Sequence, residues 1–120
     1  MSTPNIVSVA TINGHTVAGA IVTGGTVVID VSAEYIYKIN NIIIANIDGT
    51  NSATVTAEVS IDNGSTFFAI ASTVAVPADA TLMLVDKNTA FYLDETDLLR
   101  VVGSANGDLT YTVSGEKITD

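Results

Sequence analysis

Apolar and polar residues alternate singly, or form short β-branched runs, along nearly the whole chain. No stretch repeats its apolar residues at the three-to-four spacing of a helix, so the pattern predicts strands throughout. Ser52 to Ile61 is the cleanest case. Ala53, Val55, Ala57, Val59 and Ile61 are predicted on one face, and Thr54, Thr56, Glu58 and Ser60 on the other. Asp62-Asn63-Gly64-Ser65 follows, a hairpin signal because Asn-Gly accepts positive φ at both central turn positions. The return strand is predicted over Thr66 to Ser72, and Pro77 marks a corner because it donates nothing to a ladder.

Further strands are predicted at Asn5 to Ile12, ended by Asn13-Gly14, and at His15 to Val22, weakened by Gly19. Thr26 to Val31 follows the Gly24-Gly25 turn. Tyr35 to Asn46 is long and almost wholly β-forming, with alternation breaking at Ile42-Ile43-Ile44. A strand apolar on both faces must be covered on both. Thr81 to Val85, Phe91 to Leu93, Leu98 to Ser104 and Leu109 to Val113 complete the set, with a turn at Asn106-Gly107-Asp108. Short strands at regular spacing imply an all-β fold: an antiparallel β-sandwich, jelly-roll-like or immunoglobulin-like. Residues 1–30 are less regular and Gly-rich, and are expected to form an N-terminal arm or edge strands packed on a sandwich of residues 31–120. One domain is expected overall.

Composition narrows the class. Hydrophobic residues make up 48% of the 120, enough for a core and too many for a disordered chain. Charged residues are 14%, well below the ~25% of a typical domain, so Ser and Thr are expected to cover the outer faces. The net charge of −9, with Lys38, Lys87, Arg100 and Lys117 scattered, argues against a nucleic-acid partner. There is no cysteine, hence no disulfide and no thiolate zinc site. No apolar run approaches the ~20 residues of a helical membrane span, and Met1-Ser2-Thr3-Pro4 does not resemble a signal peptide, so no membrane partner and synthesis in a cytoplasm are expected.

Candidate chemistry is thin. His15 is the single histidine, with no nucleophile-elbow pattern to serve, and reads as a strand or turn residue. Asp94, Glu95 and Asp97, joined by Asp79 or Asp86, offer oxygen ligands for calcium but lack EF-hand spacing. A solvated turn is the plainer reading, as it is for Asp48-Gly49-Thr50-Asn51. Tyr35, Tyr37, Phe67, Phe68, Phe91 and Tyr92 could stack on a sugar or base, but aromatics in strands more often anchor cores or interfaces. One member each of Phe67-Phe68 and Phe91-Tyr92 should face outward. Asn63-Gly64-Ser65 matches a glycosylation sequon and is read as the hairpin turn alone. No enzyme activity, cofactor or metal is expected.

The succession of segments carries a resemblance. Asn46 to Ala53, Ile70 to Leu82 with its Val76-Pro77-Ala78 corner, Tyr92-Leu93-Asp94-Glu95 and Leu98 to Val101 follow one another in an order similar to small all-β virion proteins of tailed bacteriophages, especially marine and cyanobacterial ones. The opening Ser2 to Val7 is similar too. Members of that family often end in Ser-Tyr-Glu-Glu, where this chain has Ser114-Gly115-Glu116-Lys117.

The resemblance implies a virion structural protein, most simply a decoration (cement) protein on the capsid surface. The expected partners are the major capsid protein and copies of the chain itself as a homotrimer. The alternative is a head-fibre, tail-fibre or neck module that binds host glycans. The expected oligomer or capsid interface comprises Pro4, Asn5, Ile42, Ile44, Phe67 and Tyr92.

Overall fold

β-Branched runs punctuated by Gly, Asn and Asp turns become nine antiparallel strands in the computed structural model, which describes residues 11–31 and 35–119. They are β1 (Thr11–Ala20), β2 (Thr26–Asp30), β3 (Tyr35–Asn46), β4 (Ala53–Ser60), β5 (Phe68–Val76), β6 (Thr81–Val85), β7 (Phe91–Leu93), β8 (Leu98–Gly103) and β9 (Leu109–Thr119). The first sheet has the order β1-β9-β3-β6, with β7 also paired to β3. The second has the order β2-β8-β4-β5.

This pairing scheme has a simple logic. β1 pairs with β9, β2 with β8, β3 with β6 and β7, and β4 with β5. The chain is one long hairpin, tipped by the β4–β5 turn and rolled so that successive pairs fall in alternate sheets. That is jelly-roll connectivity, with one of its eight strands split into β6 and β7. An immunoglobulin arrangement would group the strands differently.

The core lies between the sheets. Ile39, Ile42, Ile44 and Val113 of the first sheet and Val55, Leu99 and Val101 of the second are all 0% exposed. Each such side chain contributes about 1.5–3 kcal/mol on burial. Asn46 is buried at the end of β3 and fully used. Its amide donates to the carbonyls of Val76 (2.9 Å) and Asn51 (3.0 Å), and its Oδ1 accepts from the Asp48 N–H (2.8 Å). It thereby ties both sheets at one end of the sandwich.

Several local expectations change. Asn13-Gly14 is not a turn: β1 runs through it in unbroken register with β9, because ladder bonds to a long neighbour override a local turn preference. Residues 5–10 of the expected first strand lie outside the described residues. β9 continues beyond Val113 to Thr119, so Glu116 to Thr119 are part of a strand flanked by β1 and β3, not a tail. The return strand starts at Phe68 and reaches Val76. Ile61 falls just past β4 and is 70% exposed.

The break in β3 also sits elsewhere. Register shifts between Ile39 and Asn41 opposite β9, so Asn40 is the extra residue of a bulge. After it, Ile42 and Ile44 point inward and Ile43 outward, so alternation holds through the isoleucines.

Candidate interaction surfaces

The expected interface residues do not form one surface. Ile42 and Ile44 are 0% exposed and belong to the domain core, so neither is available to a partner. The apolar triplet suggested two covered faces, but the strand presents only Ile43 to the outside. Phe67 is taken by Arg100, whose guanidinium carbon lies 3.7 Å from its ring centroid. Arg Nε also donates to Glu58 Oε1 (2.6 Å), making a Phe67–Arg100–Glu58 cluster on the outer side of the second sheet. Tyr92 is half exposed, with Lys38 Nζ 6.0 Å from its ring centre. Phe91, its neighbour, packs on the core, while Phe68 is exposed beside the partly buried Phe67. Pro4 and Asn5 lie outside the described residues.

The first sheet presents a broad outer face. Register places Ala18, Thr112, Ile43 and Met83 in one row across β1, β9, β3 and β6, with Ala20, Thr110, Ala45 and Thr81 beside it. Among the described residues only Lys38 and Glu116, opposite each other and 4.0 Å apart, bring charge to its centre. Ile12, Met83 and Tyr92 are its exposed large apolar groups. Scattered apolar residues are ordinary on a surface; a sheet face with one ion pair and no net charge, on a chain of net charge −9, is less so.

Between β5 and the β6–β7 edge lies an apolar groove of about 260 Å³, lined by Ile70, Ala71, Leu84, Val85, Thr89 and Phe91. It falls below the ~300–1,000 Å³ usual for small-molecule sites.

The acidic loops are held by their own backbone. Asp48 accepts the N–H groups of Thr50 (2.8 Å) and Asn51 (3.2 Å) and the Asn51 amide (3.2 Å), and these bonds hold its carboxyl below the usual range. Desolvation, and then the charge of Asp48, push Asp108 the other way. Asp97 accepts from the Asp94 N–H (2.8 Å), and burial raises its pKa. Among the described residues no group of three or more His, Cys, Asp or Glu is placed to hold a metal ion. His15 Nδ1 lies 3.3 Å from the Tyr37 hydroxyl, which donates to the His15 carbonyl (2.7 Å); the pair fastens β1 to β3.

The β4–β5 turn supplies a pH-dependent element. Asn63 and Gly64 take φ of 59° and 90°, the geometry the Asn-Gly pair predicts. Asp62 Oδ1 accepts from the Thr66 N–H (2.8 Å) and the Ser60 hydroxyl (2.8 Å), which lowers its pKa below the ordinary 3.8. A lowered carboxyl pKa gives stability that is complete above the ordinary value and lost as pH falls through the folded one. Asp62→Asn is therefore expected to flatten part of the acid limb of the stability–pH curve below about pH 4. Urea melts from pH 6 to pH 2 check this; an acid limb unchanged in the variant would contradict the assignment.

No protein-family model matches this sequence, and no curated protein does. Solved structures do match in fold. A protein of Bacillus endospore appendages, described as a novel family of disulfide-linked pili, aligns with a TM-score of 0.50 at 13% identity, over 91% of this chain and 87% of that one. A chain of the infectious bursal disease virus particle aligns with a TM-score of 0.46 at 12% identity, over 93% of this chain and 32% of that one. A chain from the Gx strain of that virus gives 0.43 at 13% identity. This chain spans about a third of the length of these viral chains. What it shares with the spore-appendage protein is a fold, an antiparallel β-sandwich matched over nearly the whole of both chains.

Proposed function

We propose that this chain is a structural protein of a tailed-phage virion, a decoration protein that binds the outside of the capsid and stabilises it. The observation that carries the reading is the outer face of the first sheet. It is wide, rich in Thr and Ala, and carries a single ion pair in a chain whose charge is otherwise −9. Such a face loses little by desolvation when it lies on another protein, because few charges must be stripped of water. The acidic loops remain to keep a densely coated particle soluble.

Support comes also from the order of segments between Tyr35 and Ile118, similar to small virion proteins, and from connectivity that recurs in viral capsid domains. The spore-appendage protein of like fold is described as building disulfide-linked pili. Disulfide linkage is closed to this cysteine-free chain, so its assembly would rest on non-covalent contacts repeated over a lattice.

In this reading the partners are the major capsid protein and further copies of the chain, arranged as a homotrimer at capsid threefold positions. Nucleic acid, membrane, cofactor and catalysis have no part in it.

Quantitative mass spectrometry of purified virions tests the proposal. Hundreds of copies per particle, together with binding of the purified protein to empty capsids, are expected. A few copies per particle, or binding to host glycans without binding to capsids, would replace the coat with a fibre or neck module.

A further inference from the structure

The two sheets end in four edges, and three of them are protected against strand addition. β2 has five residues, a register shift between Val27 and Ile29, and the charge of Asp30 at its end. β6 and β7 are pieces of five and three residues. β5 has nine residues but two register shifts against β4, and Thr73 sits at φ 46° in its middle. Bulges, charges and short lengths are the usual means of blunting an edge.

β1 has none of these. It runs ten residues in unbroken register with β9, from Thr11 opposite Thr119 to Ala20 opposite Thr110. Among the described residues nothing pairs with its other side. Most of its residues are exposed. It also lies in an uncharged stretch: all four basic and all thirteen acidic residues stand at or after Asp30.

We propose that β1 pairs antiparallel with β1 of a second copy, joining the two first sheets into one. Charge selects a second copy as the occupant. Two chains of net charge −9 repel each other wherever their acidic loops meet, but neutral edges can approach, and like residues then face like without penalty. A nine-residue antiparallel overlap forms about eight to ten backbone hydrogen bonds, close to the number a typical interface carries.

Geometry restricts the register. Directly opposite residues share a face, and a two-fold axis through the joined sheet keeps each residue on its own face. The axis must therefore fall on a residue, and the fullest overlap puts it at His15 or Thr16. This contact is separate from any threefold contact of a coat, and it does not depend on the capsid reading.

The test uses the full chain. Thr16→Lys with Ala18→Lys sets four ammonium groups around the axis, on exposed positions of the outer face. Sedimentation equilibrium is expected to show the mass of the wild type halved in this variant, with association weakened about 100-fold or more. An unchanged circular-dichroism spectrum and melting temperature would show that the fold is kept. Thr16→Cys, in a chain without other cysteine, is expected to cross-link between copies with a short bismaleimide. Thr11→Cys is expected not to, since its two sites would lie roughly 25–35 Å apart.

The proposal is overturned if the wild type is monomeric at 100-micromolar concentrations (~100 µM, where a contact worth about 6 kcal/mol would hold). Equal masses for wild type and the lysine variant would also overturn it, as would equal cross-linking at both cysteines. If deleting residues 1–10 creates a dimer that the whole chain lacks, that segment covers the edge and the proposal fails.

Discussion

Ile44→Asp is expected to abolish cooperative folding, whereas Ile43→Asp, one residue away, is expected to leave a folded domain. Ile44 is 0% exposed and faces Leu82 and Tyr111 across the inner side of the first sheet. Removing a buried isoleucine costs about 2–5 kcal/mol. A carboxylate left there without a partner adds several kcal/mol more. Together these approach or exceed the roughly 5–15 kcal/mol that holds a domain of this size. Ile43 is partly exposed between Thr112 and Met83 on the outer face, where a carboxylate keeps access to water. Its replacement is expected to cost on the order of 1 kcal/mol. Urea denaturation followed by circular dichroism separates the two. An Ile44→Asp protein that melts like the wild type but differs in oligomer mass would mean that the residue faces a partner.

Gly115→Ala is the second large effect. Gly115 lies opposite Ile39 in the central β9–β3 ladder, where a β-carbon would overlap the Lys38 carbonyl and come within 2.8 Å of the Tyr37 ring. A backbone carbonyl cannot swing aside as a side-chain tip can. Accommodation requires β9 to move off β3, or Tyr37 to leave its place. The second course also breaks the bond from the Tyr37 hydroxyl to His15, loosening β1. A loss of about 3 kcal/mol or more is expected, above the usual cost of overpacking because ladder bonds are lost with it. Gly14→Ala provides the contrast. Nothing lies within 4 Å of a β-carbon there, so little change is expected. Denaturant midpoints of the two variants test the pair, and equal midpoints would refute the steric account.

Most elements could be read locally because their causes are local. β3 was legible from Tyr35 to Asn46, and the inward face of β4 from Ala53 to Val59, since period-two burial writes itself into the choice of residues. The Asn63-Gly64 turn was legible for the same reason, as only a few residues accept positive φ. Where local reading failed, a distant strand was responsible. Asn13-Gly14 became strand because β9 supplies its ladder, and Glu116 to Thr119 became strand because β1 and β3 flank them. The Ile42–Ile44 triplet misled because the bulge at Asn40 had already absorbed the change of face. Asn46 was legible only as the last residue of its strand, yet its amide spans two segments that no spacing in the sequence brings together.

By itself, then, the sequence determined an all-β chain, most of its strands and turns, a sparsely charged acidic surface and the uncharged character of its first 29 residues. Those properties follow from individual residues and their immediate neighbours. The tertiary structure decided the jelly-roll pairing, the enclosure of Ile42 and Ile44, and the position of β1 as the edge strand of its sheet among the described residues. Each of these depends on pairing residues as far apart as Thr11 and Thr119. An antiparallel ladder looks much alike with any neutral β-branched partner. Only closure of one shared core by all the strands together selects which partners meet.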